Sequence, residues 1–262
     1  MTPRRTDDAG FDWAGRWAGP FVPGALGELD VHVWIASVAG SGLAADEAIL
    51  ADEERARAAR LRHEADRGRY VAARCVLRRL LSGYLDEPPG ALCFRSGARG
   101  KPELDRESGE VALSFNLSHA RDWVAVAIAK SMPVGVDIEQ MPRASEVDDL
   151  ARMVLSESEQ AALAGVAPVQ RPRSFLTAWV CKEAVLKALG RGLGDGARDV
   201  EVPGEVLVSA GESQGSGFDF VTECDRPWRV RGLQLMGDCV GAVAAPSADW
   251  KLRCLAFDAA RR

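Results

Sequence analysis

Two carboxylates stand two residues apart in the segment VGVDIE, residues 134–139, where Val134, Val136 and Ile138 alternate with Gly135, Asp137 and Glu139. That alternation is the period of a β-strand, so Asp137 and Glu139 project from one face and the three aliphatic side chains from the other. Like charges held so close repel unless a cation neutralises them. Hard oxygen donors suit Mg²⁺, which usually takes one or two carboxylates together with substrate phosphates. The competing reading is an edge strand with a solvated acidic face. Further along, Glu183 and Lys187 are four residues apart in SFLTAWVCKEAVLKAL, residues 174–189, and therefore share a helix face. Lys182, Glu183 and Lys187 are the only ionic groups of that segment, and Leu176 and Val180 continue the stripe of Glu183. A partly buried charge pair is expected there, and buried charges need partners.

Cationic and neutral polar groups lie earlier in the chain. Residues 55–79 hold nine arginines (55, 57, 60, 62, 67, 69, 74, 78 and 79) against Glu64 and Asp66, a local charge of +7 in a chain of net charge −5. Such a stretch reads either as a solvated helix face with acidic neighbours or as the footprint of an anionic partner, a nucleotide or a nucleic acid. His119 closes the segment FNLSH, residues 115–119, which reads as a loop between two strands, and Lys101 lies in GKPEL, residues 100–104. A loop histidine can donate to phosphate or serve as a hydrogen-bonded structural group.

Three familiar patterns fail on context. Gly211 to Gly215 fits a nucleophile elbow, but SGFDFVT after it reads as strand, and no histidine follows residue 119, so the hydrolase order of serine, acid and histidine is excluded. Gly192 to Ala197 fits a loose dinucleotide fingerprint but follows a helix, and reads as a helix C-cap and loop. Lys101 is followed by proline, without the upstream glycine of a P-loop.

The elements that must position these groups follow from the hydrophobic period. Leu29 to Ile35 alternates as a strand, and 46–85 reads as one long helix ended by Pro88 and Pro89. Strand-like stretches fall at 91–94, 111–115, 123–129 and 134–139, with a polar break at 130–133. Helices are expected at 147–154, 157–163 and 173–189. From Val200 onward the chain reads as β, with strands near 205–209, 218–222, 228–235 and 239–244. The expected organisation is a mobile extension over 1–28, a first half over 29–130 and a second over 131–262. Each half mixes helix and short strands, an α/β class.

Composition narrows the class further. With 262 residues and 47% hydrophobic content the chain can bury a core without staples. Apolar runs stop at about seven residues, far short of the roughly 20 that span a bilayer, and no apolar stretch follows the N-terminal arginines. A cytoplasmic protein with no membrane partner is expected. The six cysteines (75, 93, 181, 224, 239 and 254) show no CxxC spacing and read as reduced thiols.

Taken in order, GKPEL, FNLSH, VGVDIE and WVCKEAVLKALGRGL resemble the surfactin-type (Sfp-like) 4′-phosphopantetheinyl transferases, over about residues 29–245. The resemblance implies a monomer of two similar α/β halves packed as a pseudo-dimer, with coenzyme A between them. It implies transfer of 4′-phosphopantetheine from coenzyme A to a serine of an apo acyl or peptidyl carrier protein, releasing 3′,5′-ADP, in polyketide, peptide or fatty acid synthesis. Metal ligands would fall on Asp137, Glu139 and Glu183, for Mg²⁺ with Mn²⁺ as an alternative. Glu183, directly or through a bound water, would be the base, and Lys187 would hold a phosphate oxygen. Arg57, Arg69, Lys101, Ser118 and His119 would bind the nucleotide end. Three positions depart from the pattern: Glu54 where a basic residue is common, Ala120 where serine is usual, and Val180 in place of a small polar residue. The alternative is a non-catalytic nucleotide- or nucleic-acid-binding module built on the arginine helix.

Overall fold

The computed structural model describes residues 25–39, 46–97, 101–106, 113–192, 194, 196–212, 218–233, 235, 238–246 and 249–257. Residues 1–24 of the expected extension, the 211–215 glycine motif apart from the backbone of 211–212, and the start of the 111–115 stretch lie outside them. In chain order the elements are β1 (Asp30–Ser37), α1 (Asp52–Ala59), α2 (Glu64–Leu85), β2 (Phe94–Ser96), β3 (Pro102–Leu104), β4 (Leu113–Ala120), β5 (Trp123–Lys130) and β6 (Gly135–Gln140). There follow α3 (Val147–Val154), α4 (Glu157–Gly165), α5 (Arg171–Ala188), α6 (Gly204–Glu212), β7 (Asp219–Glu223), β8 (Pro227–Leu233), β9 (Cys239–Pro246) and β10 (Lys251–Phe257).

Two four-stranded sheets form the frame, ordered β10-β1-β5-β4 and β6-β9-β8-β7, and β2 with β3 makes a small hairpin. The strands sort their side chains by parity. Trp34 of β1 with Val124, Val126 and Ile128 of β5 packs under α2. Val31, Val33, Ala125 and Ala127 face the other way, onto Val136 and Ile138 of β6 and Val243 of β9. A third cluster joins α5 to the far side of the second sheet through Ala184, Val185, Trp228 and Val230. The molecule is thus layered helix, sheet, sheet, helix, and this mixed α/β architecture matches the expected class.

Several elements differ from their sequence reading, each for a physical reason. The expected 46–85 helix is broken at residues 60–63. Glu54 bonds Arg74 and Arg78, which are 20 and 24 residues later, whereas in one straight helix they would stand about 30 Å or more away. The chain must therefore fold α1 back on α2. Pro102–Leu104 of GKPEL is a strand paired with β2, and FNLSH lies within β4 and not in a loop. Residues 205–209 are helical and not a strand, because Val206, Leu207 and Ala210 recur at helical spacing and are buried, the first two within the cluster around α5. Within the stretch that reads as β from Val200 onward, Lys251–Phe257 forms a strand beyond the four expected. It runs parallel to β1, so the end of the chain completes the first sheet.

Candidate active site

The two sheets pack face to face, and at one margin the inward face of β4 meets the free edge of β6, where side chains make the joint. Asn116 Oδ1 accepts the Val136 N–H at 2.9 Å, and Ser118 Oγ accepts the Ile138 N–H at 3.3 Å. Alternation within β4 puts Asn116 and Ser118 on one face, where they supply the acceptors that a neighbouring strand would otherwise give to β6. Asp137 lies between the two bonded amides and is 2% exposed.

On the other side of β6 the helix α5 comes unusually close. A Cβ at Gly135 would stand 2.0 Å from the Ala184 carbonyl oxygen and 2.6 Å from the Ala188 nitrogen, so only glycine permits the contact. That approach sets Glu183 and Lys187 against the polar face of β6. Lys187 Nζ donates to Asp137 Oδ1 at 2.6 Å and to Ser118 Oγ at 3.1 Å, and the Ser118 hydroxyl donates to the same Asp137 oxygen at 2.8 Å. Asp137 Oδ2 is buried with no hydrogen-bond partner among the described residues.

Burial raises all three carboxyls. For Asp137 it outweighs Lys187 and Ser118, which act in the opposite direction. Glu139 is pushed up to about 7 by burial and by the charge of Asp137, with Glu183 adding to it against Lys187. Glu183 is raised by burial and by Asp137, with Lys187 opposing. Among the described residues no group of three His, Cys, Asp or Glu side chains is placed to hold a metal ion, the expected set of Asp137, Glu139 and Glu183 included. The chemistry of Asp137 nonetheless suits a hard divalent ion, because its buried Oδ2 is an acceptor with no partner among the described residues. Mg²⁺ commonly keeps positions for water and substrate phosphate, so a closed cage is not required.

Beside this cluster lies a cleft of about 640 Å³ walled by α1, α2, β4 and the β2–β3 hairpin. Arg57, Arg74, Arg95, Lys101 and His119 line it together with Tyr70, Phe94 and Asn116, against the acids Glu53 and Glu54. The structure gathers Arg57, Lys101 and His119 there but divides the rest of the expected nucleotide set. Arg69 does not line the cleft; it pairs with Asp66 and Asp122. Ser118 belongs with Asp137 and Lys187, because its parity in β4 turns it to β6. Lys101 borders the cleft, but its ammonium is held by the carbonyls of Lys187 and Val134.

Much of the +7 segment is internally neutralised. Six of its nine arginines (55, 67, 69, 74, 78 and 79) form ion pairs. Glu54, the acid in an unusual place, is 7% exposed, and its carboxyl is held low by Arg74, the Ala51 amide and Arg78 despite the cost of burial. Sequence reasoning missed Asn116, Arg95 and Tyr70, and held Arg74 only as one of nine arginines. For Asn116 the signal was available, since Phe115/Leu117 and Asn116/Ser118 alternate as a strand does. Lys182 of α5 also finds partners, Glu159 at 2.8 Å and the Ala197 carbonyl at 2.9 Å, and is fully buried.

Comparison with known proteins places this arrangement in a family. Residues 133–233 match the family model of the 4′-phosphopantetheinyl transferase superfamily, and residues 37–131 match that of a 4′-phosphopantetheinyl transferase N-terminal region. The chain is 31% identical to the 4′-phosphopantetheinyl transferase HetI of Nostoc sp. strain PCC 7120 over 85% of its own length and 90% of that protein. It is 34% identical to the 4′-phosphopantetheinyl transferase gsp of Aneurinibacillus migulanus over 49% and 51% of the two chains. It is 31% identical to a phosphopantetheinyl transferase of Thraustochytrium sp. over 63% of each. The chain therefore belongs to the 4′-phosphopantetheinyl transferase superfamily, and it is an enzyme of that class.

Proposed function

We propose that this enzyme moves 4′-phosphopantetheine from coenzyme A to a serine hydroxyl of an apo acyl or peptidyl carrier protein, releasing 3′,5′-ADP, in an Mg²⁺-dependent reaction. The observation that carries the reading is the buried, unpartnered oxygen of Asp137 beside Glu139, Glu183 and Lys187, at the side of a cationic cleft. The cleft has the chemistry for the nucleotide end: the guanidinium of Arg57, in no ion pair among the described residues, for phosphate, with Arg74 and Arg95 beside it held by Glu54 and Glu103, and Tyr70 and Phe94 as flat apolar walls. Asp137, Glu139 and Glu183 would hold the divalent ion. Bound there, the ion supplies positive charge that draws electrons from the pyrophosphate.

Lys187 would turn its ammonium to a phosphate oxygen and offset charge that grows in the transition state. Serine is a weak nucleophile at neutral pH and needs a base. Glu183, its carboxyl raised by burial and by Asp137 against Lys187, would be that base. Both layers of the site come from one chain, which supports action as a monomer. Among the described residues no helix is long and apolar enough to cross a membrane, and all six cysteines are free. Those features support a reducing, cytoplasmic setting. The nucleic-acid alternative loses its main support, since the arginines that suggested it are largely paired within the protein.

Intact-mass measurement of apo carrier proteins with coenzyme A and Mg²⁺ tests the reading. The carrier should gain one phosphopantetheine on a serine, and the gain should stop with a chelator or with Asp137→Asn. No gain on any carrier, or a gain indifferent to both treatments, would refute it.

A further inference from the structure

The β2–β3 hairpin, which gives Arg95, Ser96 and Pro102 to the wall of the cleft, is bonded to the second half by the side chain of Lys101. Lys101 Nζ donates to the Lys187 carbonyl at 2.8 Å and to the Val134 carbonyl at 3.3 Å. The Lys187 carbonyl lies in the last turn of α5, where the Gly190 N–H also reaches it at 3.2 Å. Gly190 has φ 70°, and the Arg191 N–H bonds the Leu186 carbonyl at 2.8 Å, so the helix ends in a glycine-capped turn. Carbonyls at a helix C-terminus carry partial negative charge, which an ammonium complements. Val134 leads directly into β6, the strand of Asp137. One side chain therefore touches the backbone at both elements that bear the acids and Lys187. Burial pushes the Lys101 ammonium down to about 8, with Glu103 opposing, so its contacts are made away from bulk water.

We propose that Lys101 is a positioning residue that latches the wall of the cationic cleft to the backbone of Lys187 and Val134, so that filling the cleft is transmitted to Lys187 and Asp137. The substrate's identity rests on the function proposed above, whereas the latch rests on the bonds alone. The rival role is that of a direct ligand to the nucleotide's phosphate.

The test compares Lys101→Met, which keeps bulk and removes the donors, with Lys101→Arg, which keeps them. Amide exchange over residues 186–191 should quicken about tenfold in Lys101→Met, the effect of losing charged hydrogen bonds at a helix end, and Lys101→Arg should recover most of the protection. Turnover of Lys101→Met should fall roughly ten- to a hundredfold. Its affinities for coenzyme A and 3′-dephospho-coenzyme A should change by the same factor. Unchanged exchange, or a loss confined to coenzyme A with its 3′-phosphate, overturns the latch. If Lys101→Met does not fold, the wild-type enzyme decides: adenosine 3′-monophosphate, which has no pyrophosphate to reach the acids, should slow exchange over 186–191, and no slowing refutes the coupling. Failure of the wild-type enzyme to modify any carrier would count against the proposed reaction, while the exchange measurements would still decide on Lys101.

Discussion

Replacing Gly135 by alanine tests the geometry on which the acidic cluster depends. The added Cβ would lie 2.0 Å from the Ala184 carbonyl oxygen, and real Cβ contacts essentially never fall under 3.0 Å. The obstructing atoms are helix backbone, which cannot rotate aside as a side chain can. Either α5 or β6 must therefore move by at least about 1 Å, the difference between those two distances. Lys187 and Asp137 sit on opposite sides of this contact and are bonded at 2.6 Å, so a displacement of that size takes the pair out of hydrogen-bond range. Forcing a methyl into a full core costs about 1–3 kcal/mol, a fall in Tm of roughly 2–10 °C for a chain of this size. Misplacing groups by an ångström costs about a hundredfold in rate. The assay is a thermal melt alongside intact-mass kinetics on a carrier protein. Gly165→Ala is the control, since a Cβ there meets nothing within 4 Å, and it should melt at or slightly above the wild-type temperature. A Gly135→Ala enzyme that melts and turns over like wild type would refute the argument that this glycine sets the site.

Other perturbations give separate checks. Glu159→Ala leaves Lys182 buried without its counter-ion and frees the Val202 and Ser156 amides, so unfolding in urea should show a loss of about 3–5 kcal/mol; a loss under 1 kcal/mol would contradict the pairing. Glu139, near 7 in the folded chain against 4.5 as its ordinary value, binds more protons folded than unfolded between those pH values. Its contribution to stability is present below about 4.5 and disappears as pH rises through 7. Glu139→Gln, measured with a chelator present, should therefore be the more stable chain at pH 8 by on the order of 1–3 kcal/mol and should lose transfer activity; a less stable variant at pH 8 would reverse the sign. Arg57→Ala should weaken coenzyme A more than its 3′-dephospho form, whereas Arg69→Ala, outside the cleft and paired with Asp66 and Asp122, should bind both as wild type does. Equal behaviour of the two variants in titration calorimetry would relocate the 3′-phosphate.

The sequence by itself determined what is local and periodic. Alternation in VGVDIE put Val136 and Ile138 on one face and Asp137 and Glu139 on the other, and the structure buries the aliphatic pair between the sheets. The 3.6-residue period fixed α5 and the shared face of Glu183 and Lys187, because helix geometry is set by the backbone. Tertiary structure alone decided what depends on partners distant in the chain. The break between α1 and α2 has no proline or glycine to announce it and follows from Glu54 meeting Arg74 and Arg78. Ser118 changed neighbourhood, from nucleotide cleft to acidic cluster, because the inward face of β4 meets the free edge of β6 and strand parity then dictates what it faces. The same long-range packing chose which arginines were neutralised, which lined the cleft and that Arg74 did both, a choice that charge counting along the chain cannot make, since Coulomb attraction depends on distance in space and not on separation in sequence.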